Sequence, residues 1–93
     1  MHTVHIKPNG IIDAEVGQSI LDRVQSALAR GKLFFYFDFS SVYSLDRQGL
    51  EKLIRSLIAI VEGGGEHRIV SINHSVQKLF ASKGLDTALH LEQ

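Results

Sequence analysis

The stretch LFFYFDFSSVYSLDRQGL, residues 33–50, decides the fold because it joins a very apolar run to the start of a long helix. Its first part, residues 33–39, consists almost entirely of aromatic and apolar residues, which is typical of a strand covered on both faces in a parallel sheet. Its last part, SLDRQGL, indicates a helix start, because Asp46 can cap the helical pattern that follows. We therefore expect a central strand and, after it, a helix.

The helix that begins at this point has the clearest pattern in the chain. Its apolar residues recur at spacings of three and four, and its charged residues fall on the other side. The apolar positions are Leu50, Leu53, Ile54, Leu57, Ile58 and Val61. Gly63, Gly64 and Gly65 supply the positive φ angles that a tight return needs, so we expect the helix to end there.

Before this stretch, the sequence predicts one strand and one helix. Residues 3–7 alternate apolar and polar side chains, and the turn-forming residues 8–10 stop this strand. Apolar residues at helical spacing then predict a helix over residues 16–30, with Gly31 as its C-terminal stop.

After the glycines, residues 67–72 indicate another strand. Either Asn73 or Ser75 can cap a third helix, which Gly84 ends. Residues 88–91 indicate a last short strand. The order β-α-β-α-β-α-β favours right-handed crossovers, so we expect an α/β fold with three helices and a mostly parallel sheet of four to five strands.

Length and composition limit the function. Ninety-three residues, 44 % hydrophobic and 22 % charged, indicate a single domain that spans residues 1–93. Ten basic and ten acidic residues give a net charge of zero, so no long-range field attracts nucleic acid. There is no cysteine, no leader pattern and no membrane-spanning apolar run. We expect a cytoplasmic protein that does not insert into a membrane.

Residues able to support chemistry are scattered. The histidines show neither a helical pair nor accompanying cysteines, so we expect no metal site; they are His2, His5, His67, His74 and His90. The three consecutive glycines follow a helix, whereas a phosphate-binding loop opens one. Asp13, Asp38 and Asp46 stand at element ends, where turn and cap roles explain them. We therefore expect no catalytic residue and no cofactor.

Gly49 is the unexplained residue of the helix start. Asp46 is explained as a cap, but a glycine in the first turn costs roughly 1 kcal/mol relative to alanine. Such a glycine indicates that something approaches the helix closely. The sequence leaves open whether a neighbouring element or a binding partner does so.

Taken together, these motifs resemble the STAS domain family, whose best-studied single-domain members are bacterial anti-sigma factor antagonists. The family has a strand ending in Gly-x-Leu-Asp, and this chain has GIID at residues 10–13. Its second strand ends near an aspartate, which Asp38 matches, and its signature Asp-Ser-Ser/Thr-Gly-Leu corresponds to DRQGL at residues 46–50. Residues 76–79 and GLD at residues 84–86 are similar to the third helix and its closing motif.

The resemblance implies a surface that binds an anti-sigma factor or a related switch kinase. On that basis, the partner-binding residues are Asp13, Ser40, Ser44, Asp46, Arg47, Gln48 and Gly49. In the antagonists, the second residue after the signature aspartate is a phosphorylated Ser or Thr; here it is Gln48, and Arg47 precedes it. Neither side chain accepts a phosphoryl group, which leaves Ser44 as an alternative phosphorylation site. The resemblance also implies that the chain lacks the extra leading strand of many members.

Two other functions fit the same sequence. The chain could be a structural subunit, similar to the STAS components of bacterial lipid-transport ATPase complexes, which work without a phosphorylation cycle. It could also bind a small ligand or nucleotide, although no glycine loop opens a helix. The first of these is the stronger alternative, because the missing acceptor agrees with it.

Overall fold

The computed structural model describes residues 3–82, which form five strands and three helices. The elements, in chain order, are β1 (Thr3–Ile6), β2 (Gly10–Ile12), α1 (Ala14–Ala29), β3 (Phe34–Phe39), β4 (Val42–Leu45), α2 (Arg47–Glu62), β5 (Glu66–Ile72) and α3 (His74–Ser82). All the described strand pairs are parallel. The expected α/β class with three helices is confirmed. The strand expected at residues 88–91 and the helix end expected at Gly84 lie outside the described residues.

The strands form two sheets, whereas the sequence predicted one. The first has the order β1-β3-β5, with β3 in the centre as expected, and the second pairs β2 with β4. The expected order β-α-β-α-β-α-β omitted β2 and β4. These strands have only three and four residues, and they continue the chain just beyond β1 and β3, where the sequence suggested turns.

The core lies on one face of the three-stranded sheet. Phe35, Phe37 and Phe39 are fully buried there, in one cluster with buried residues from all three helices. The opposite face of β3, which carries Phe34, Tyr36 and Asp38, is only half-buried. The expectation that both faces are covered is therefore wrong for this second face, because the helices contribute their buried residues to the first.

The buried side of α2 differs from the predicted apolar stripe at its C-terminal end. Leu53 and Leu57 are buried as expected, but Ile58 and Val61 are 51 % and 62 % exposed. Ile60, which the stripe omitted, is fully buried. Almost every residue at this end of α2 is apolar, so the apolar pattern alone did not show which of them are buried.

Candidate functional site: two neighbouring helix starts

Two aspartates cap two helices that begin next to each other. Asp13 directly follows β2, and its carboxylate Oδ1 accepts a hydrogen bond of 2.9 Å from the backbone N–H of Val16 in α1. Asp46 directly follows β4, and its Oδ1 accepts one of 2.8 Å from the N–H of Gly49 in α2. Each carboxylate also stabilises the positive end of its helix dipole.

The pairing of β2 with β4 brings these caps together. Ile12 is in register with Leu45, so the residues that follow them, Asp13 and Asp46, stand side by side. The backbone N–H of Asp46 also donates to the carbonyl oxygen of Ile12 over 3.1 Å. The two helix starts are therefore joined through the backbone.

Gly49 is explained by packing within the protein. A Cβ atom built on Gly49 would lie 2.5 Å from the carbonyl carbon of Ile12 and closer still to its oxygen. Gly17 makes the matching approach from α1, since a Cβ atom there would lie 3.1 Å from the carbonyl oxygen of Gly49. The close approach that the sequence indicated at Gly49 is thus made by a neighbouring element, the end of β2, and Gly49 itself is buried.

Besides the buried Gly49, the expected partner-binding residues divide into two groups. Asp13, Ser44, Asp46, Arg47 and Gln48 gather around the two caps, and we call them the helix-start surface. Within it, the last three are exposed, whereas Asp13 and Ser44 are half-buried. Ser40 stands before β4, and because a four-residue strand is about 13 Å long, it is well separated from Asp46.

Ile11 and Tyr43 are exposed apolar residues next to the helix-start surface, and the sequence reasoning did not select them. Ile11 is 44 % exposed and pairs with Ser44 in register. Tyr43 is 67 % exposed at an irregularity in the β2–β4 pairing, with its ring beside Gly10. In sequence, nothing distinguishes the outward Ile11 from the buried Ile12, so only the pairing could identify them.

A second polar cluster surrounds Ser40. The carboxylate oxygen Oδ1 of Asp38 accepts hydrogen bonds from the hydroxyl and the backbone N–H of Ser40, over 2.6 Å and 2.9 Å. Lys7 places its ammonium nitrogen 4.0 Å from the other oxygen of Asp38. The two hydrogen bonds, more than the ammonium charge, lower the pKa of Asp38. The turn role expected of Asp38 is thereby confirmed.

The described residues give no indication of a metal or membrane site. Among residues 3–82, no group of three or more histidines, cysteines and carboxylates could hold a metal ion. The rings of His5 and Tyr36 make a T-shaped contact, and His67 is buried in β5. Within the same residues, no helix has the length and apolar character needed to cross a membrane. The absence of metal binding stays a prediction.

Two short parallel strands that lead into two capped, closely packed helices define an α/β domain of the STAS type. The chain belongs to the STAS domain family, whose model matches residues 2–93. A comparison with curated protein sequences gives no match.

Two solved structures, one of an anti-sigma factor antagonist and one of a candidate antagonist, have a similar fold. The unphosphorylated form of the anti-sigma factor antagonist SpoIIAA superposes with a TM-score of 0.68 at 18 % sequence identity, over 85 % of this chain and 73 % of that one. A candidate anti-sigma factor antagonist from Thermotoga maritima superposes with a TM-score of 0.78 at 26 % identity, over 91 % and 74 % of the two chains. The fold expected from the resemblance is confirmed.

Proposed function

We propose that the chain is a cytoplasmic, non-enzymatic protein-interaction module of a bacterial regulatory system, and that it binds an anti-sigma factor or a related switch kinase. The observation that carries this proposal is the pair of neighbouring capped helix starts at Asp13 and Asp46, the second of which opens the segment DRQGL that resembles the family signature. Exposed side chains, Arg47 and Gln48, follow the second cap and are available to a partner.

The proposed interface combines the helix-start surface with its apolar neighbours. Protein interfaces concentrate their binding energy in a few residues, and tyrosine and arginine are enriched among them. Tyr43 and Arg47 are both exposed, whereas the buried Gly49 acts by letting the start of α2 lie against the end of β2. Ser40 stands apart from these residues and is left out of the proposed interface.

The phosphorylation switch is absent from the proposed function. In the antagonists that this chain resembles, the residue at the position of Gln48 gains a phosphoryl group, which releases the partner. A glutamine amide cannot be phosphorylated and carries no charge. We therefore propose that the chain stays permanently competent for binding.

Our proposal that the chain is not an enzyme is supported by the roles of the aspartates. Asp13 and Asp46 cap helices, and Asp38 closes a turn. These structural roles explain the three carboxylates without a catalytic one. We accordingly propose no catalytic residue.

The test begins with the genes next to this one. A neighbouring anti-sigma kinase or phosphatase would supply the partner for calorimetric titration, whereas a transporter ATPase would favour the structural-subunit alternative. Tyr43→Ala and Arg47→Glu should each raise the Kd at least about tenfold, as expected for residues at the centre of an interface.

The matched control is Val61→Ala, which also truncates an exposed apolar side chain, but at the far end of α2. It should leave the Kd within about twofold of the wild-type value, as expected for a residue outside the interface. Unchanged binding by both test variants, with weaker binding by Val61→Ala, would place the interface elsewhere.

A further inference from the structure

Asn73 connects the third helix to the strand that leads into the helix-start surface. It lies between β5 and α3, half-buried, and its side-chain oxygen Oδ1 accepts a hydrogen bond of 3.0 Å from the backbone N–H of Val76. Asn73, and not Ser75, therefore caps α3. Its amide nitrogen Nδ2 points the other way and donates to the carbonyl oxygen of Val42 over 2.5 Å, with the oxygen of Ser40 at 3.5 Å.

These contacts fall at the beginning of β4. Val42 is the first residue of this strand, and Leu45, its last, directly precedes the cap Asp46. In the same turn, the carbonyl oxygen of Ser41 accepts a hydrogen bond of 2.9 Å from the N–H of Gly10, the first residue of β2. The turn of residues 40–42 thus fixes the near end of the β2–β4 pair.

The far end of the same pair carries the two caps. It is held by the hydrogen bond from the N–H of Asp46 to the oxygen of Ile12. Because each strand has only three or four residues, a shift of the backbone at the near end should also displace the far end, where the caps lie. We propose that Asn73 is a positioning residue: it fixes the position of β4, and through β4 that of the helix-start surface, relative to α3.

Asparagine suits this position because it offers both an acceptor and donors on one short side chain. Aspartate would keep the acceptor for Val76, and it is a strong cap, but an ionised carboxylate has no N–H for Val42. Its charge would also face two carbonyl oxygens. Asn73→Asp therefore separates the capping of α3 from the connection to β4.

The test is hydrogen exchange of the purified full chain, followed by NMR. In Asn73→Asp, the amides of Gly10 and Asp46 should exchange at least about tenfold faster than in wild type, since the part-buried hydrogen bond that holds the start of β4 has been lost. The amide of Val76 should stay protected. In Asn73→Ala, which removes both roles, all three amides should exchange faster.

Two variants and one internal reference make the result decisive. Ser75→Ala changes an exposed residue in the same turn of α3 and should alter none of these rates. Asn73→Ser keeps a capping oxygen, but its side chain is too short to reach Val42. It should therefore show the same exchange pattern as Asn73→Asp, and it replaces Asn73→Asp in the test if Asn73→Asp folds poorly. Phe37, in the central strand, reports global stability. Unchanged protection of Gly10 and Asp46, or an equal acceleration that includes Phe37, would overturn the proposal.

This inference deepens the proposed function and rests on it only for its consequence, a weaker hold on the partner. The exchange experiment needs no partner, so the two can fail separately. If Asn73→Asp loosens β4 while Tyr43→Ala and Arg47→Glu bind normally, the positioning role stands and the proposed interface fails. If the interface variants lose binding while β4 stays protected, the reverse holds.

Discussion

The backbone carbonyl of Ile12 lies against Gly49, in the place where any larger residue would carry its Cβ atom. The same carbonyl oxygen accepts the hydrogen bond from the N–H of Asp46. One backbone group at the end of β2 therefore fixes both the cap and the first turn of α2. The exposed residues Arg47 and Gln48 lie between these two fixed points.

Replacing Gly49 by alanine should destabilise the fold. The new methyl group would overlap the backbone of Ile12, which cannot move aside as a flexible side chain can. We expect a loss of at least about 2 kcal/mol in the free energy of unfolding measured in urea, as for other overpacked sites. Gln48→Ala, at the exposed neighbouring position, is the control and should change the stability by less than about 0.5 kcal/mol. Equal stabilities of the two variants would show that α2 is not held against β2.

Leu57 and Ile58 provide a neighbouring pair with opposite burial. Leu57 is 5 % exposed in the core, whereas Ile58 is 51 % exposed. Leu57→Ala should cost about 2 to 5 kcal/mol, because it removes buried methyl groups and leaves a cavity. Ile58→Ala should cost less than about 1 kcal/mol in the same urea titration. A loss below about 0.5 kcal/mol for Leu57→Ala would mean that the buried face of α2 is assigned wrongly.

The Asp38 carboxylate should titrate below the usual range for aspartate. The hydroxyl and N–H of Ser40 bind its ionised form and lower its pKa, so this contact stabilises the fold above the normal carboxyl pKa. That contribution is lost as the pH falls through the lowered pKa. An NMR titration of the side-chain carboxyl carbon should show the low value in wild type and a higher one in Ser40→Ala. The same pKa in both proteins would contradict the assignment to Ser40.

The sequence predicted the start of α2, and Asn73 as one of two possible caps of α3, because caps are local, but it placed the start of α1 two residues late. Asp46 and Asn73 each bond to an N–H three residues later, and this spacing is visible in the sequence. The central position of β3 also followed from its own apolar residues. The very short strands β2 and β4 did not, because their identity depends on pairing across more than thirty residues of chain.

In the candidate site too, local features could be predicted from the sequence, whereas features that depend on long-range contacts could not. Asp13 and Asp46 could be selected from local patterns, but their proximity depends on the register of Ile12 with Leu45. The explanation of Gly49, for which the sequence left two possibilities, required the position of Ile12. The exposure of Tyr43 and the second role of Asn73 likewise follow from long-range contacts that no local pattern indicates.

Gln48 should tolerate serine better than glutamate. A phosphoryl group at this helix start would add a charge of about −1.5 to −2, which repels an acidic partner surface and is costly to bury. Gln48→Glu imitates part of that charge, so it should weaken binding to the partner in calorimetric titration. Gln48→Ser should preserve binding. Tighter binding by Gln48→Glu would mean that the partner surface is basic and not acidic.

We propose that this chain keeps the binding surface and lacks the phosphorylation switch. The most direct measurement incubates wild type and Gln48→Ser with the kinase-like partner and Mg-ATP, maps phosphate by mass spectrometry and determines the Kd before and after. We expect an unmodified wild-type chain with an unchanged Kd, and phosphate at position 48 of Gln48→Ser together with release of the partner. Stoichiometric phosphate on Ser40, Ser41 or Ser44 of the wild-type chain, with loss of binding, would contradict it.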